Sequence, residues 1–145
     1  MAYSKDDFQE WIFCISDKMD YLTNEFAEEH KLSLDLSIKS LDELEEWIID
    51  NFSTIDDLRN NQKILDLLTV YIGQTFQKHI GGKWYMDLEN KDNAYYHMPI
   101  LTNPDYKGVK HKSPRTYAIA SVDRRRGNHI STILKNCMED MGILS

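Results

Sequence analysis

The sequence predicts an α+β domain, mainly helical, packed on a small antiparallel sheet. Three observations lead there. Apolar residues recur at steps of three and four through the first eighty positions, the period of helices with one buried face. Lys83 to Leu88 alternates strictly, the period of a half-buried strand. Between them stand Gly73, Gly81-Gly82 and Trp84: a buried helix, a double-glycine stop and a strand opening on tryptophan. Glycine inside a helix is disfavoured by about 1 kcal/mol against alanine. Gly73 therefore predicts that another backbone or a large ring lies against the helix there.

Taken in order, the first helix is predicted over Lys5 to Glu29, with Ser4 as its N-cap. Phe8, Ile12, Ile15, Met19, Leu22 and Phe26 form its buried stripe, widened by Trp11 and Cys14. Ser40-Leu-Asp-Glu43 reads as a capping box opening a second helix over 41–51, which buries Leu41, Leu44, Trp47 and Ile48. Ser53 or Thr54 caps a third helix over 55–80, with Leu58, Leu65, Leu68, Ile72 and Phe76 inward and Ile64, Leu67 and Tyr71 beside them. Gly81 ends it in a left-handed conformation.

In the first strand Trp84, Met86 and Leu88 face one way, and Lys83, Tyr85 and Asp87 the other. After the turn Glu89 to Asn93, a second strand over 95–101 puts Tyr96, Met98 and Ile100 on one face. Pro99 lacks a ladder donor, so this strand is expected at an edge. Asn103 to Lys112 reads as a mobile polar loop. Ser113-Pro114 is an N-cap followed by a first-turn proline, which predicts a helix over 114–125. The run Tyr117 to Val122 favours β structure and keeps a strand as the alternative. Gly127 breaks the chain, and a last helix over 128–140 turns Ile130, Ile133, Leu134, Cys137 and Met141 inward.

At 145 residues the chain can bury a core without staples. No repeat or linker divides it. It reads as one domain, with an acidic helical part at 1–64 and a helix–strand–strand–helix–helix part at 65–145. The polar, acidic start at Met1 to Glu10 lacks the pattern of a signal peptide, and no apolar run approaches the ~20 residues that span a bilayer. Cys14 and Cys137 stand far apart, as buried thiols do in a reducing compartment. A cytoplasmic protein, away from membranes, is the expectation.

Residues 1–70 carry 6 Lys/Arg against 17 Asp/Glu, a net −11, and residues 71–145 carry 11 against 7, a net +4. An acidic whole argues against general nucleic-acid binding, which needs a basic surface to neutralise phosphates. It suits a basic protein partner, steered in by the field of the acidic half. Asp42, Glu43, Glu45, Glu46 and Asp50 crowd the second helix and are the expected docking face. The basic cluster Arg124, Arg125 and Arg126, with Lys107, Lys110, Lys112 and Arg115, is the alternative: an RNA contact with Tyr106 and Tyr117 for stacking. Arginines near a helix C-terminus are also what the dipole favours, and they could pair with the acidic half.

Gly73-Gln74, Gly81-Gly82-Lys83-Trp84, Pro114 to Arg126 and Ile130 to Leu134 follow an order of elements that resembles a family of uncharacterised bacterial domains. The resemblance covers about residues 65–135 and implies the helix–glycine–tryptophan–strand junction, with no activity to carry over. Gln74 stands where that family more often has an acid. In general profile the chain is similar to bacterial immunity proteins (antitoxins), which implies a non-enzymatic chain that occludes a basic toxin.

No catalytic residue, cofactor site or metal site is expected. His30, His79, His97, His111 and His129 are scattered without ligand spacing, and His79 suits a helix C-terminus. No nucleophile elbow or phosphate loop occurs, and Gly81-Gly82 follows a helix where a phosphate site would precede one. Asp87 and Glu89 alternate on one strand face, as solvating carboxylates or as an acid/base pair. A deep pocket gathering His97, Asp87 and Tyr85 would mark an enzyme.

Overall fold

The computed structural model describes residues 4–143. The first amphipathic stretch is a bent helix in pieces: α1 (Lys5–Phe13), α2 (Ile15–Tyr21), one π-helical turn (Leu22–Phe26) and α3 (Ala27–His30). Ser4 caps it as predicted. Its hydroxyl accepts the Asp7 amide at 3.1 Å while the Asp7 carboxylate accepts the Ser4 amide at 3.0 Å. The expectation of one unbroken helix needs correction. The backbone flattens at Cys14 (ψ −5°), and the π turn inserts an extra residue so that Phe26 and Ala27 are both buried. Ile15 and Leu22 are buried; Phe8, Ile12 and Met19 are half-buried.

The second helix, α4 (Ile38–Asn51), starts earlier than the capping-box signal indicates. Ser37 is the N-cap, accepting the Ser40 amide at 3.1 Å. Ser40 is fully buried instead. It donates its one proton to the Ser37 carbonyl at 2.6 Å, so the Tyr71 hydroxyl donates to it at 2.7 Å. Tyr71 in turn accepts the Leu36 amide at 2.9 Å, while the Leu36 carbonyl meets Nε2 of His79 at 2.9 Å. Leu36 is thus held from both sides in a left-handed conformation (φ 65°). This buried network, at about 1 kcal/mol per bond, outweighs the local Ser40–Glu43 signal. His79 serves this contact and does not cap its own helix.

The expected third helix is two. α5 (Ile55–Arg59) has Thr54 and Asp57 as a capping box, and α6 (Gln62–Ile80) has Asn61 as its cap. The chain turns at Asn60-Asn61, where side-chain amides compete with the helical backbone and no apolar residue anchors the turn. Along α6 the stripe is buried as predicted, at Leu65, Leu68, Tyr71, Ile72 and Phe76. Gly81 closes it with the positive φ expected (69°), but its ψ of −168° is extended, a region only glycine occupies readily.

Gly73 meets a large ring. A Cβ there would lie 2.0 Å from Cη2 of Trp84. The indole lies on bare helix backbone, its Nε1 donates to Gln74 Oε1 at 2.8 Å, and Trp11 packs against it edge-on at 4.9 Å. Gln74 therefore fills the position as an acceptor for the indole.

The sheet is antiparallel, ordered β1 (Lys83–Tyr85), β2 (Ile100–Thr102), β3 (His111–Lys112), with Trp84 opposite Leu101 and Thr102 opposite His111. Two expectations fail here. The second strand is short and central, because Tyr96–Pro99 lies outside it and Pro99 occupies no ladder position. The stretch read as a mobile loop contains β3 and the buried Tyr106, whose hydroxyl donates to the Gly81 carbonyl at 2.6 Å. Lys110 Nζ donates to the Pro104 and Tyr106 carbonyls and closes that loop.

Residues 114–125 resolve as a helix. α7 (Pro114–Arg124) has Ser113 as N-cap and Pro114 in the first turn, and α8 (His129–Asp140) follows. Helix α6 packs on α7, and α4 packs on α7 and α8. Met86 and Ile100 are buried apart from this main core cluster. Cys137 is buried and Cys14 half-buried, both as free thiols. Among the described residues no helix is long and apolar enough to cross a membrane.

Candidate functional site

The five carboxylates expected on one docking face divide by role. Glu45 is the correction: it is fully buried. Leu41 and Ile48 lie four residues before and three after it, so the helix turns Glu45 into the core. Its two oxygens accept the amides of His129 and Ile130 at 2.9 and 2.8 Å, the first turn of α8. Asn128 supplies no side-chain cap to that helix, and the carboxylate takes the place. Asp42, half-buried, accepts the Ser131 hydroxyl at 2.5 Å, and Glu43 accepts the Ser33 amide at 3.3 Å. Glu46 and Asp50 are exposed.

The acidic surface is wider than this helix. Of the 17 Asp/Glu in residues 1–70, 13 are exposed. Asp6, Glu10, Asp17 and Asp20 share the outer side of α1 and α2, at helical spacing. In their midst is Phe13, 83 % exposed. It is the residue the sequence reading passes over. Its signal is that it is strongly apolar yet lies one position off the Phe8–Ile12–Ile15 stripe.

The residues of the basic cluster divide between the two ends of α7. Arg125, in a left-handed conformation after α7, turns its guanidinium onto the end of α4. It donates to the carbonyls of Ile49 at 2.8 Å, Phe52 at 3.1 Å and Ser53 at 3.4 Å. The cation meets the acidic half through carbonyls at a helix C-terminus, where the dipole favours it. Arg124 and Arg126 are exposed beside it, while Arg115 and the lysines lie toward the other end of α7, an eleven-residue helix. Lys112 covers the Tyr106 ring at 5.3 Å. Tyr106 is buried, and Tyr117, half-buried, packs against Phe76 at 5.5 Å. Burial pushes both phenols well above their ordinary range. At His129 burial lowers the imidazole pKa, opposed by Glu45 and reinforced by Arg124 and Arg126.

A cleft of about 380 Å³ lies between the first helix, α6 and the 86–99 segment. Trp11, Leu65, Asp66, Met86, His97 and Arg115 line it. Asp66 is engaged by the Trp11 indole N–H at 2.7 Å and by Lys18 at 2.6 Å. His97 borders the cleft, but Tyr85 and Asp87 do not, so this cleft does not gather the three.

Asp87 is engaged within its own turn. The Asp87 carboxylate accepts Asn93 Nδ2 at 2.8 Å and the amides of Glu89 and Asn90 at 3.0 and 3.1 Å. The Asp87 carbonyl accepts the His97 amide at 3.0 Å, which closes the loop at its base. The Asn93 side chain, then the Glu89 and Asn90 amides, hold the Asp87 carboxyl below its ordinary 3.8. A lowered folded-state pKa means a contribution present above the unfolded value and lost as pH falls through the folded one. In an NMR titration the Asn93 side-chain amide is therefore expected to lose its native shift at a lower pH than an ordinary aspartate titrates. In Asp87→Ala that shift is expected to be absent at every pH.

Among the described residues no three His, Cys, Asp or Glu side chains converge as metal ligands would. No family model, curated protein or solved structure matches the chain.

Proposed function

We propose that this chain is a non-enzymatic protein-binding module whose acidic helical half engages a basic protein partner. Following the general profile, we read it as a cytoplasmic immunity protein (antitoxin) that covers the basic cleft of a toxin. The observation that carries the reading is the exposure of 13 of the 17 acidic side chains in residues 1–70. The one central arginine that crosses to this half, Arg125, spends its donors on carbonyls and leaves the carboxylates to solvent. Such a field raises the encounter rate with a cationic surface and weakens with salt.

On α4 the reading assigns direct contact to Glu46 and Asp50, which are exposed, with the half-buried Asp42 and Glu43 at its margin. Glu45 supports the face from within and does not touch a partner. The test is stopped-flow association with the partner, isolated on the tagged protein and identified, over a range of ionic strength. Glu46→Lys with Asp50→Lys is expected to slow association about tenfold at low salt and to flatten its salt dependence. Dissociation is expected to change less. Unchanged association kinetics would remove α4 from the docking face, and salt-independent association of the unmodified protein would remove the electrostatic reading altogether.

A further inference from the structure

We propose that Phe13 is the apolar anchor of the docking surface, and that the partner's basic surface contains an apolar slot to receive it. This rests on the electrostatic reading above and adds the chemistry of the contact. Phe13 projects from the junction of α1 and α2 with 83 % of its surface exposed, the highest among the exposed large apolar residues of the described chain. Its neighbours one helical turn away are Gln9, Glu10, Ser16 and Asp17, all exposed, so no other element covers the ring.

One turn further on, Asp17 also borders a shallow groove of about 300 Å³ between α2 and α6, lined with Lys18, Tyr21, Lys63, Asp66 and Leu67. Its walls are mostly apolar, and its two aspartates and two lysines balance, so the negative charge of the patch comes from Asp6, Glu10 and Asp20 beside it. A projecting ring beside an apolar groove, framed by Asp6, Glu10, Asp17 and Asp20, has the anatomy of a binding patch: an apolar centre and a polar border.

The charge decides the occupant. A second copy meeting this face symmetrically would set carboxylates against carboxylates. A basic protein surface meets them with opposite charge while its slot buries the ring.

Two fluorescent peptides of equal positive charge separate the contributions, one of lysine and serine and one of lysine and leucine, measured by anisotropy at low and high salt. The protein is expected to bind the lysine–leucine peptide about tenfold more tightly, the scale of burying one aromatic side chain. In Phe13→Ala, with an unchanged circular dichroism spectrum, the preference is expected to vanish while binding of the lysine–serine peptide stays the same. A preference that survives Phe13→Ala overturns the anchor and leaves the electrostatic reading standing. Failure of both peptides to bind, or binding insensitive to salt, overturns both. Sedimentation of the protein as a dimer that Phe13→Ala dissolves would assign the face to self-association and also overturn the proposal.

Discussion

Glu45→Ala is expected to lower the free energy of unfolding by about 3 kcal/mol or more, since a buried donor left without an acceptor costs about 1–3 kcal/mol. The substitution strands two, the amides of His129 and Ile130, and removes the charge that favours the start of α8. In a chain of this length that corresponds to a fall in melting temperature of roughly 10 °C. Glu45→Gln keeps one oxygen as an acceptor and is expected to recover part of the loss. Glu46→Ala, one residue on and exposed, is expected to change stability by less than about 0.5 kcal/mol. Thermal and urea denaturation of the three variants measures this directly. Equal effects at 45 and 46 would mean that the Glu45 carboxylate carries no structural contact.

Gly73→Ala is expected to destabilise although alanine is the better helix former. Propensity favours alanine by about 1 kcal/mol. Against it stands a methyl group 2.0 Å from Cη2 and 2.3 Å from Cζ2 of Trp84. The indole cannot retreat freely, because Gln74 holds its N–H and Trp11 lies against it. Overpacking of this kind costs typically 1–3 kcal/mol, and here it also breaks the indole hydrogen bond. A net loss of about 2 kcal/mol follows. In a Trp84→Leu background the ring is gone, and Gly73→Ala is expected to become neutral or stabilising. The double-mutant cycle reads that change of sign as coupling. An additive cycle would show that the ring does not determine the glycine.

How much of this was legible depends on the range of the forces involved. Ser4, Pro114 and the stripe of α6 are local signals: helices start at the first two and the third is buried as its period indicates, while the breaks at Cys14 and at Asn60-Asn61 carry no such signal. Gly73 was legible because a glycine in a strongly apolar helix needs a reason, and the nearby Trp84 supplied one. Ser40 misled because its capping box is locally sound. The tyrosine that claims it stands 31 residues away. Glu45 was half legible: its spacing from Leu41 and Ile48 puts it on the buried face, but the acceptor-hungry helix end lies 85 residues on. The sequence run of acids points to α4 alone, whereas the exposed acids also follow the outer side of α1 and α2. Phe13 is hard to single out in the sequence because being left out of a stripe is a weaker signal than belonging to one.

Helix α4 and the turn between α7 and α8 finish each other: Glu45 supplies the start of α8, and Arg125 supplies the end of α4, across 85 and 76 residues. During synthesis the first partner of each pair emerges long before the second. Until the Arg125–Ile130 segment leaves the ribosome, the carboxylate of Glu45 has no amides to meet, and the last carbonyls of α4 face water. The acidic half is thus completed only once residues 125–130 have joined it, and native assembly of α4 waits for contacts far along the chain.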